Sequence, residues 1–304
     1  MLRDHNLPAT LATRPLLCDG ATGTQLQSLG LRPGECCERW VLDHPDRVSF
    51  VHQCYLDAGA DLLTTNTFGG SALSLAAHGL GDRAPEINRA AARLARDVAG
   101  DRAWVLGDIG PFGGILEPFG ETEPAAAKAA FLAQAAALLE GGADAILVET
   151  MSDPAEAALA IAAAREAGAT CVVATFAFQQ TPSGFHTMMG ADPAAAVRAA
   201  LEAGASAAGA NCGTQLSLDD YARLTAGLVA AAKTAPVIVQ PNAGSPGFDP
   251  ATGAMRYDTT PEAFATAAAR CIALGARIVG GCCGTTPAHI AATARLPLFK
   301  KSIP

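Results

Sequence analysis

The chain has 304 residues, half of them hydrophobic, and its formal net charge of −8 argues against a nucleic-acid partner and against an anionic membrane surface. The N-terminus lacks the apolar core of a signal peptide, and no uncharged apolar stretch reaches the about 18 residues of a membrane span. Nine cysteines spread over a chain of this size favour a reducing compartment, so we expect a cytoplasmic protein.

Apolar runs along the chain predict eight buried strands, at residues 15–19, 61–67, 103–109, 143–150, 171–178, 206–212, 236–242 and 276–281. Near-continuous apolar runs are typical of parallel strands that are covered on both faces. Alanine-rich stretches between them predict helices at residues 45–58, 85–98, 124–140, 154–166, 193–202, 218–233 and 261–273. Six of these helices open with proline, which is tolerated in the first turn because its missing N–H has no helical partner there.

Strands that alternate with helices in this number fit a single α/β domain over residues 1–304, a (β/α)₈ TIM barrel. Three longer segments, 110–123, 179–190 and 243–257, are expected to be unstructured loops at the C-terminal mouth of the barrel. Active sites of such barrels lie at that mouth, so the residues that follow the strands are the candidates for function.

The first of these candidates is the loop Asp-Gly-Ala-Thr-Gly-Thr at residues 19–24. It is rich in glycine but has neither the ending of a P-loop nor the spacing of a dinucleotide fingerprint. We interpret it as a tight turn that carries an exposed carboxylate, Asp19. That carboxylate either serves the site or caps the following helix.

Two stretches deliver sulfur atoms at strand ends. Cys212 ends the sixth predicted strand, and Cys282 and Cys283 follow the eighth within Gly-Gly-Cys-Cys-Gly-Thr. The flanking glycines allow adjacent cysteine side chains to turn towards one ion. We therefore predict a Zn²⁺ site with three cysteine ligands and one open coordination position. The alternatives are buried apolar packing and a strained disulfide between the adjacent cysteines.

This ligand set limits the chemistry of the ion. Three thiolates donate negative charge, so the ion would acidify water poorly, unlike zinc held by histidine and carboxylate. It could still bind a fourth thiol as its anion at neutral pH. The pattern therefore favours alkylation of a thiol over hydrolysis.

Glu149 stands at the end of the fourth predicted strand, directly after an apolar run. A carboxylate in that position is costly unless it is paired. A substrate ammonium group is the partner we expect, and an arginine or lysine elsewhere in the barrel is the alternative.

Motifs along nearly the whole chain resemble those of the zinc- and homocysteine-dependent S-methyltransferases. That family includes betaine–homocysteine methyltransferase, the S-methylmethionine-dependent enzymes and the homocysteine domain of cobalamin-dependent methionine synthase. The matching stretches are Asp-Gly-Ala-Thr-Gly-Thr at 19–24, Thr-Asn-Thr-Phe at 65–68, Gly-Pro at 110–111, Val-Glu-Thr at 148–150, Gly-Ala-Asn-Cys-Gly at 209–213, Asn-Ala-Gly at 242–244 and Gly-Gly-Cys-Cys-Gly-Thr at 280–285.

The resemblance implies methyl transfer from a small-molecule donor to homocysteine, giving methionine. It implies that the three cysteines named above bind Zn²⁺, with the homocysteine sulfur as fourth ligand. It also implies that Asp19 and Glu149 help to bind the amino-acid end of homocysteine. The residues that it assigns to substrate binding are Asp19, Gly20, Thr65, Asn66, Glu149 and Asn242.

The chain departs from the family pattern in two places. Asp108 stands where the family commonly has a small residue, and Gly69 follows Thr-Asn-Thr-Phe where a betaine enzyme has tyrosine. A quaternary ammonium donor prefers aromatic faces, so the donor stays open. One alternative is methylcobalamin on a separate corrinoid protein, and another is a non-catalytic barrel that binds zinc or a thiol. The oligomeric state, the physiological thiol and the roles of Cys36, Cys37, Trp40 and Asp108 also stay open.

Overall fold

The computed structural model describes residues 6–249 and 254–299. All eight predicted strands are present within these ranges, most of them shorter than the apolar runs. They are β1 (Leu16–Leu17), β2 (Leu62–Thr64), β3 (Trp104–Ile109), β4 (Ala145–Met151), β5 (Val172–Phe176), β6 (Ala207–Asn211), β7 (Val237–Gln240) and β8 (Ile278–Val279).

These strands form one parallel sheet in chain order, and β8 pairs with β1. A parallel bridge between Cys18 and Leu62 then joins β1 to β2 and closes the sheet on itself. Hydrogen bonds support this closure, because the Asp61 N–H donates to the Leu17 carbonyl at 2.7 Å and the Asp19 N–H donates to the Leu62 carbonyl at 3.0 Å. The predicted (β/α)₈ barrel is confirmed.

The predicted helices are also present, together with shorter ones. The helices are α1 (Leu7–Thr13), α2 (Thr22–Ser28), α3 (Trp40–Asp43), α4 (Pro45–Asp57), α5 (Ala72–Ala76), α6 (Ala84–Ala99), α7 (Pro124–Glu140), α8 (Pro154–Glu166), α9 (Pro193–Glu202), α10 (Leu218–Ala232), α11 (Pro261–Ala273) and α12 (Pro287–Ala294). Side chains of Asp153, Asp192, Ser217 and Thr260 accept backbone N–H bonds at the starts of α8 to α11. No helix of the described residues is both long and apolar enough to cross a membrane.

The apolar core has two layers. The inner layer fills the barrel with side chains such as Leu106, Leu147 and Ile238, and Leu7 and Leu11 of α1 join it from the N-terminal end. The outer layer lies between the strands and the surrounding helices and is rich in alanine, which lets the helices approach the sheet closely. The C-terminal ends of β1, β3 and β4 carry the polar residues Asp19, Asp108 and Glu149.

Two of the three segments predicted to be unstructured contain β-hairpins, so that prediction was wrong for them. The first hairpin pairs Phe178–Thr181 with Gly184–Thr187. A Pro-Ser turn followed by Gly184, at a φ of 119°, reverses the chain there. The second hairpin pairs Gly247–Asp249 with Ala254–Arg256, and the residues between these strands lie outside the described ranges.

His52 on α4 gives a prediction about stability. It is fully buried, and neither ring nitrogen has a hydrogen-bond partner among the described residues. Burial lowers the pKa of His52 to about 4, so the folded protein keeps it neutral while the unfolded chain binds a proton below about pH 6.5. Stability should therefore fall as the pH drops through this window. His52→Leu should raise the free energy of unfolding by about 1–3 kcal/mol at neutral pH and by more at pH 4.5.

Urea unfolding of both proteins at pH 7.5 and 4.5 measures this difference. His78→Ala is the control, because His78 is exposed and its removal should leave the pH dependence as it is. Equal losses of stability on acidification in the wild type and in His52→Leu would contradict the assignment.

Candidate active site

Three cysteines meet at the C-terminal mouth of the barrel. The Cys212 and Cys283 sulfur atoms are 3.8 Å apart, those of Cys282 and Cys283 are 4.0 Å apart, and all three lie within 4.8 Å of one another. Four sulfur ligands around a tetrahedral zinc, with Zn–S bonds of about 2.3 Å, would be about 3.8 Å apart. The spacing therefore fits Zn²⁺. All three are free thiols, so the alternative of a disulfide between adjacent cysteines is not what the structure shows.

The backbone around these cysteines explains why they converge. A Cβ on Gly280 would lie 2.7 Å from the Cys18 Cβ, and one on Gly281 would lie 2.4 Å from the Thr285 hydroxyl, so the turn requires glycine at both positions. The Thr285 hydroxyl donates to the Cys282 carbonyl at 2.7 Å and fixes the turn. Cys212 has a φ of 49°, a left-handed conformation that is rare outside glycine and common at functional sites.

The three thiols interact through hydrogen bonds. Hydrogen bonds from the Cys212 and Cys282 thiols hold the pKa of Cys283 well below its ordinary value. The pKa of Cys282 is raised by its hydrogen bonds with the other two cysteines and by burial. Cys283 is therefore the most readily ionised of the three, and a cation would complement its thiolate.

Asp19 is buried, with 1% of its surface exposed, which corrects the prediction of an exposed turn carboxylate. It accepts hydrogen bonds from the Thr64 N–H at 2.7 Å and from the Thr64 hydroxyl at 3.1 Å, because closure of the barrel places β2 beside it. It does not cap α2, whose first turn has no side-chain cap. Burial raises the pKa of Asp19 to about 7.

Asp108 and Glu149 place two more carboxyl groups inside the mouth, in hydrogen-bonding contact with each other. Burial, together with the charges of Asp19 and Cys283, raises the pKa of Glu149 to about 8. Burial and the neighbouring Glu149 raise the pKa of Asp108 as well. The Asp108 Oδ1 atom has no hydrogen-bond donor in the described part of the chain. Two carboxyl groups this close cannot both be ionised readily, so the pair holds a proton.

No ion pair within the described ranges includes any of these three carboxyl groups. The alternative of an arginine or lysine partner for Glu149 therefore finds no support there. Three carboxyl groups therefore meet at the mouth without an ion-pair partner in the described part of the chain.

Asn211, which the sequence analysis did not single out, lies between the carboxylates and the thiols. Its Nδ2 donates to the Thr150 hydroxyl at 2.7 Å and lies 3.5 Å from a Glu149 oxygen and 3.8 Å from the Cys282 sulfur. Its Oδ1 accepts from the Thr175 hydroxyl at 2.9 Å. This one amide therefore fixes how Glu149 stands relative to the thiol cluster. The only signal in the sequence was its position next to Cys212.

The other residues predicted to bind substrate have different surroundings. Asn242 lies at the thiol cluster, where it hydrogen-bonds to Cys212, and its Oδ1 has no donor among the described residues. Thr65 accepts the Asp108 N–H at 2.9 Å, so its hydroxyl organises the strand end. The amide of Asn66 is held on both sides by Cys37, at 2.8 and 3.0 Å.

Gly20 faces Tyr55 and Thr285, and an added Cβ would lie 2.6 Å from the Thr285 hydroxyl. The glycine therefore permits close packing beside the site. The structure thus brings Asp19, Glu149 and Asn242 to the mouth with the cysteines, while the polar groups of Thr65 and Asn66 are engaged within the protein.

A closed (β/α)₈ barrel with thiols and buried carboxyl groups at its C-terminal mouth has the architecture of a barrel enzyme. The family model of homocysteine S-methyltransferase matches residues 16–296. The chain therefore belongs to the homocysteine S-methyltransferase family, as its motifs predict.

Similar proteins include the methionine synthases of Mycobacterium tuberculosis and Mycobacterium leprae, each 36% identical to this chain. The alignments cover 95% and 94% of this chain but only 25% and 24% of those proteins, so the chain spans about a quarter of their length. The oxidised form of the Escherichia coli homocysteine methyltransferase MmuM is 26% identical, with a TM-score of 0.75 over 94% of this chain and 98% of that one. The metallated form of MmuM, 24% identical, shares the fold with a TM-score of 0.76 over 94% and 97%.

Proposed function

We propose that this chain transfers a methyl group to the sulfur of homocysteine, giving methionine, with Zn²⁺ held by Cys212, Cys282 and Cys283. This proposal rests on three thiols that have the spacing of tetrahedral zinc ligands and lie beside buried carboxyl groups. Membership of the family supports the acceptor and the reaction. When bound, the ion would keep the homocysteine sulfur as a nucleophilic thiolate at neutral pH.

Glu149 and Asp19 would hold the ammonium group of homocysteine. Asp19 is buried and Glu149 is half-buried at the mouth, and no cation of the described residues forms an ion pair with them. The Glu149 oxygen and the Cys282 sulfur lie on either side of the Asn211 amide, a gap that the three carbons between the nitrogen and sulfur of homocysteine can bridge. An arriving ammonium group would favour the ionised form of Glu149 and release its proton.

The remaining predicted residues would act around this contact. Asn242 would contact substrate directly, because its free Oδ1 faces no donor of the described chain. Thr65 would hold the backbone of Asp108, Asn66 would hold Cys37, and Gly20 would leave room for the packing of Tyr55. These contacts orient the substrate before the transfer step.

The charge of the metal site limits the choice of methyl donor. Three cysteine thiolates on one Zn²⁺ would leave a net negative charge, which would attract a cationic small molecule such as the sulfonium of S-methylmethionine or S-adenosylmethionine. Betaine is disfavoured, because Gly69 follows Thr-Asn-Thr-Phe where a betaine enzyme has tyrosine. A second candidate is methylcobalamin on a separate corrinoid protein, favoured by the higher identity to the methionine synthases than to MmuM.

The test combines metal-loaded protein with homocysteine and each of four donors: S-methylmethionine, S-adenosylmethionine, betaine and methylcobalamin. Methionine should form with at least one donor, and the preferred donor separates the two candidates. A protein that binds zinc and homocysteine but forms no methionine with any donor would contradict the enzymatic proposal and favour a binding barrel.

A further inference from the structure

The strand β4 is irregular at Glu149 and Thr150. Its register against β5 shifts between Val148 and Met151. The two β4 residues in between therefore stand opposite a single β5 residue, Thr175, which is the pattern of a β-bulge. Thr150 has a φ of 60°, a left-handed conformation that a β-branched residue rarely adopts. Bulges of this kind re-aim side chains beside active sites.

The packing of β4 shows what the bulge does. Leu147 packs in the inner apolar layer and Val148 in the outer one, as expected for side chains that alternate along a strand. Strict alternation would place Met151 in the inner layer, but it packs in the outer layer. Thr150 is therefore the extra residue, and its side chain turns to the same mouth as that of Glu149.

Two polar side chains of the neighbouring strands hold the bulge, Thr175 of β5 and Asn211 of β6. The Thr150 N–H donates to the Thr175 hydroxyl at 3.2 Å and to Asn211 Oδ1 at 3.1 Å. The fully buried Thr175 hydroxyl in turn donates to Asn211 Oδ1 at 2.9 Å. Asn211 Nδ2 donates to the Thr150 hydroxyl and lies 3.5 Å from a Glu149 oxygen. The peptide N–H that follows Glu149 is thus held by side chains of two other strands.

We propose that this bulge sets the position of the Glu149 carboxyl group for the amino group of homocysteine, and that Thr175 is the positioning residue that holds the bulge. A strained backbone persists only where its surroundings fix it. Loss of the Thr175 hydroxyl would therefore let the peptide between Glu149 and Thr150 relax and would shift the carboxyl group. The two hydrogen bonds of this hydroxyl go to Thr150 and Asn211, so the cysteines should keep their arrangement. This inference rests on the proposed function, in which Glu149 binds the ammonium group.

The test measures by calorimetry how zinc-loaded protein binds homocysteine and 4-mercaptobutanoate, a thiol that lacks the amino group. The ratio of the two affinities reports the contact with the amino group. Thr175→Val keeps the shape of the side chain and removes the hydroxyl, so the preference for homocysteine should fall about tenfold, the effect of one lost hydrogen bond. Thr175→Ala removes the same hydroxyl and should also lower the preference, whereas Thr175→Ser keeps the hydroxyl and should retain it. Zinc content should match the wild type in all three variants.

Thr293→Val is the matched control, because Thr293 is a buried threonine of α12 whose hydroxyl donates to the His289 carbonyl at 2.9 Å. It should retain the wild-type preference.

The outcomes separate this inference from the function on which it rests. A wild type that takes up no zinc, or that binds neither thiol, would overturn the proposed function and the inference together. A wild type that binds both thiols equally would overturn the ammonium contact of Glu149 and the inference with it. An unchanged preference in Thr175→Val and Thr175→Ala, or equal losses of affinity for both thiols, would overturn the role of Thr175 alone. The same loss of preference in Thr175→Ser or Thr293→Val would show that the Thr175 hydroxyl is not responsible and would also overturn it.

Discussion

Replacing Cys212 by serine is expected to remove most of the bound zinc and to lower methyl transfer to homocysteine more than a hundredfold, a change of about 3 kcal/mol or more. Cys212 alone reaches the cluster from β6, while the other two sulfurs come from the turn after β8. Two adjacent cysteines cannot complete a three-sulfur set. Metal content per chain and initial rates measure the result.

The barrel should stay folded in this variant. Its inner and outer apolar layers are complete without the metal, unlike a small zinc finger whose fold depends on the ion. Circular dichroism should therefore be unchanged, both in Cys212→Ser and after chelation of the wild type. Cys54→Ser is the matched control, since Cys54 lies on α4 away from the mouth. Full zinc and full activity in Cys212→Ser would contradict the assignment.

The thiol cluster could be predicted because the cysteines lie one to four residues beyond apolar runs that form strands, and the ends of parallel strands meet at one mouth. The same reasoning placed Glu149 there. The burial of Asp19 could not be predicted, because it depends on a contact with Thr64 that exists only when β1 and β2 close the barrel. A glycine-rich turn after a strand suggests exposure when only neighbouring residues are considered.

Asn211 shows a second limit. It joins residues of β4 and β5 to the thiol cluster, and no pattern in the sequence states which strand ends an amide will reach. The first hairpin, in contrast, could have been predicted from the sequence, because Pro-Ser-Gly favours a turn.

Asp108 departs from the family pattern, and the structure shows what its carboxyl group contacts. The sequence shows a carboxylate where a small residue is common, but it does not show the partner. The structure places this carboxyl group against Glu149, with an oxygen that no described donor reaches. The charge available to a substrate at Glu149 therefore depends on a proton held between the two groups.

Glu149→Gln is expected to raise the KM for homocysteine roughly 30- to 1,000-fold, which corresponds to about 2–4 kcal/mol for a buried charge-assisted contact. The glutamine keeps the size of the side chain but cannot become an anion beside the substrate ammonium. Zinc content should stay at the wild-type level, because Glu149 approaches the cluster only through Asn211. Steady-state kinetics and metal analysis measure the two quantities.

The comparison that decides the role of Glu149 uses 4-mercaptobutanoate, which is homocysteine without its amino group. If Glu149 binds the ammonium, the wild type and Glu149→Gln should use this thiol about equally, since neither protein then loses a contact. Glu156→Gln is the matched control, because Glu156 is a buried carboxylate that accepts the Phe112 N–H at 2.8 Å outside the thiol cluster. It should use both thiols like the wild type. Equal losses for the two thiols in Glu149→Gln would show that Glu149 supports the structure of the mouth and does not bind the amino group.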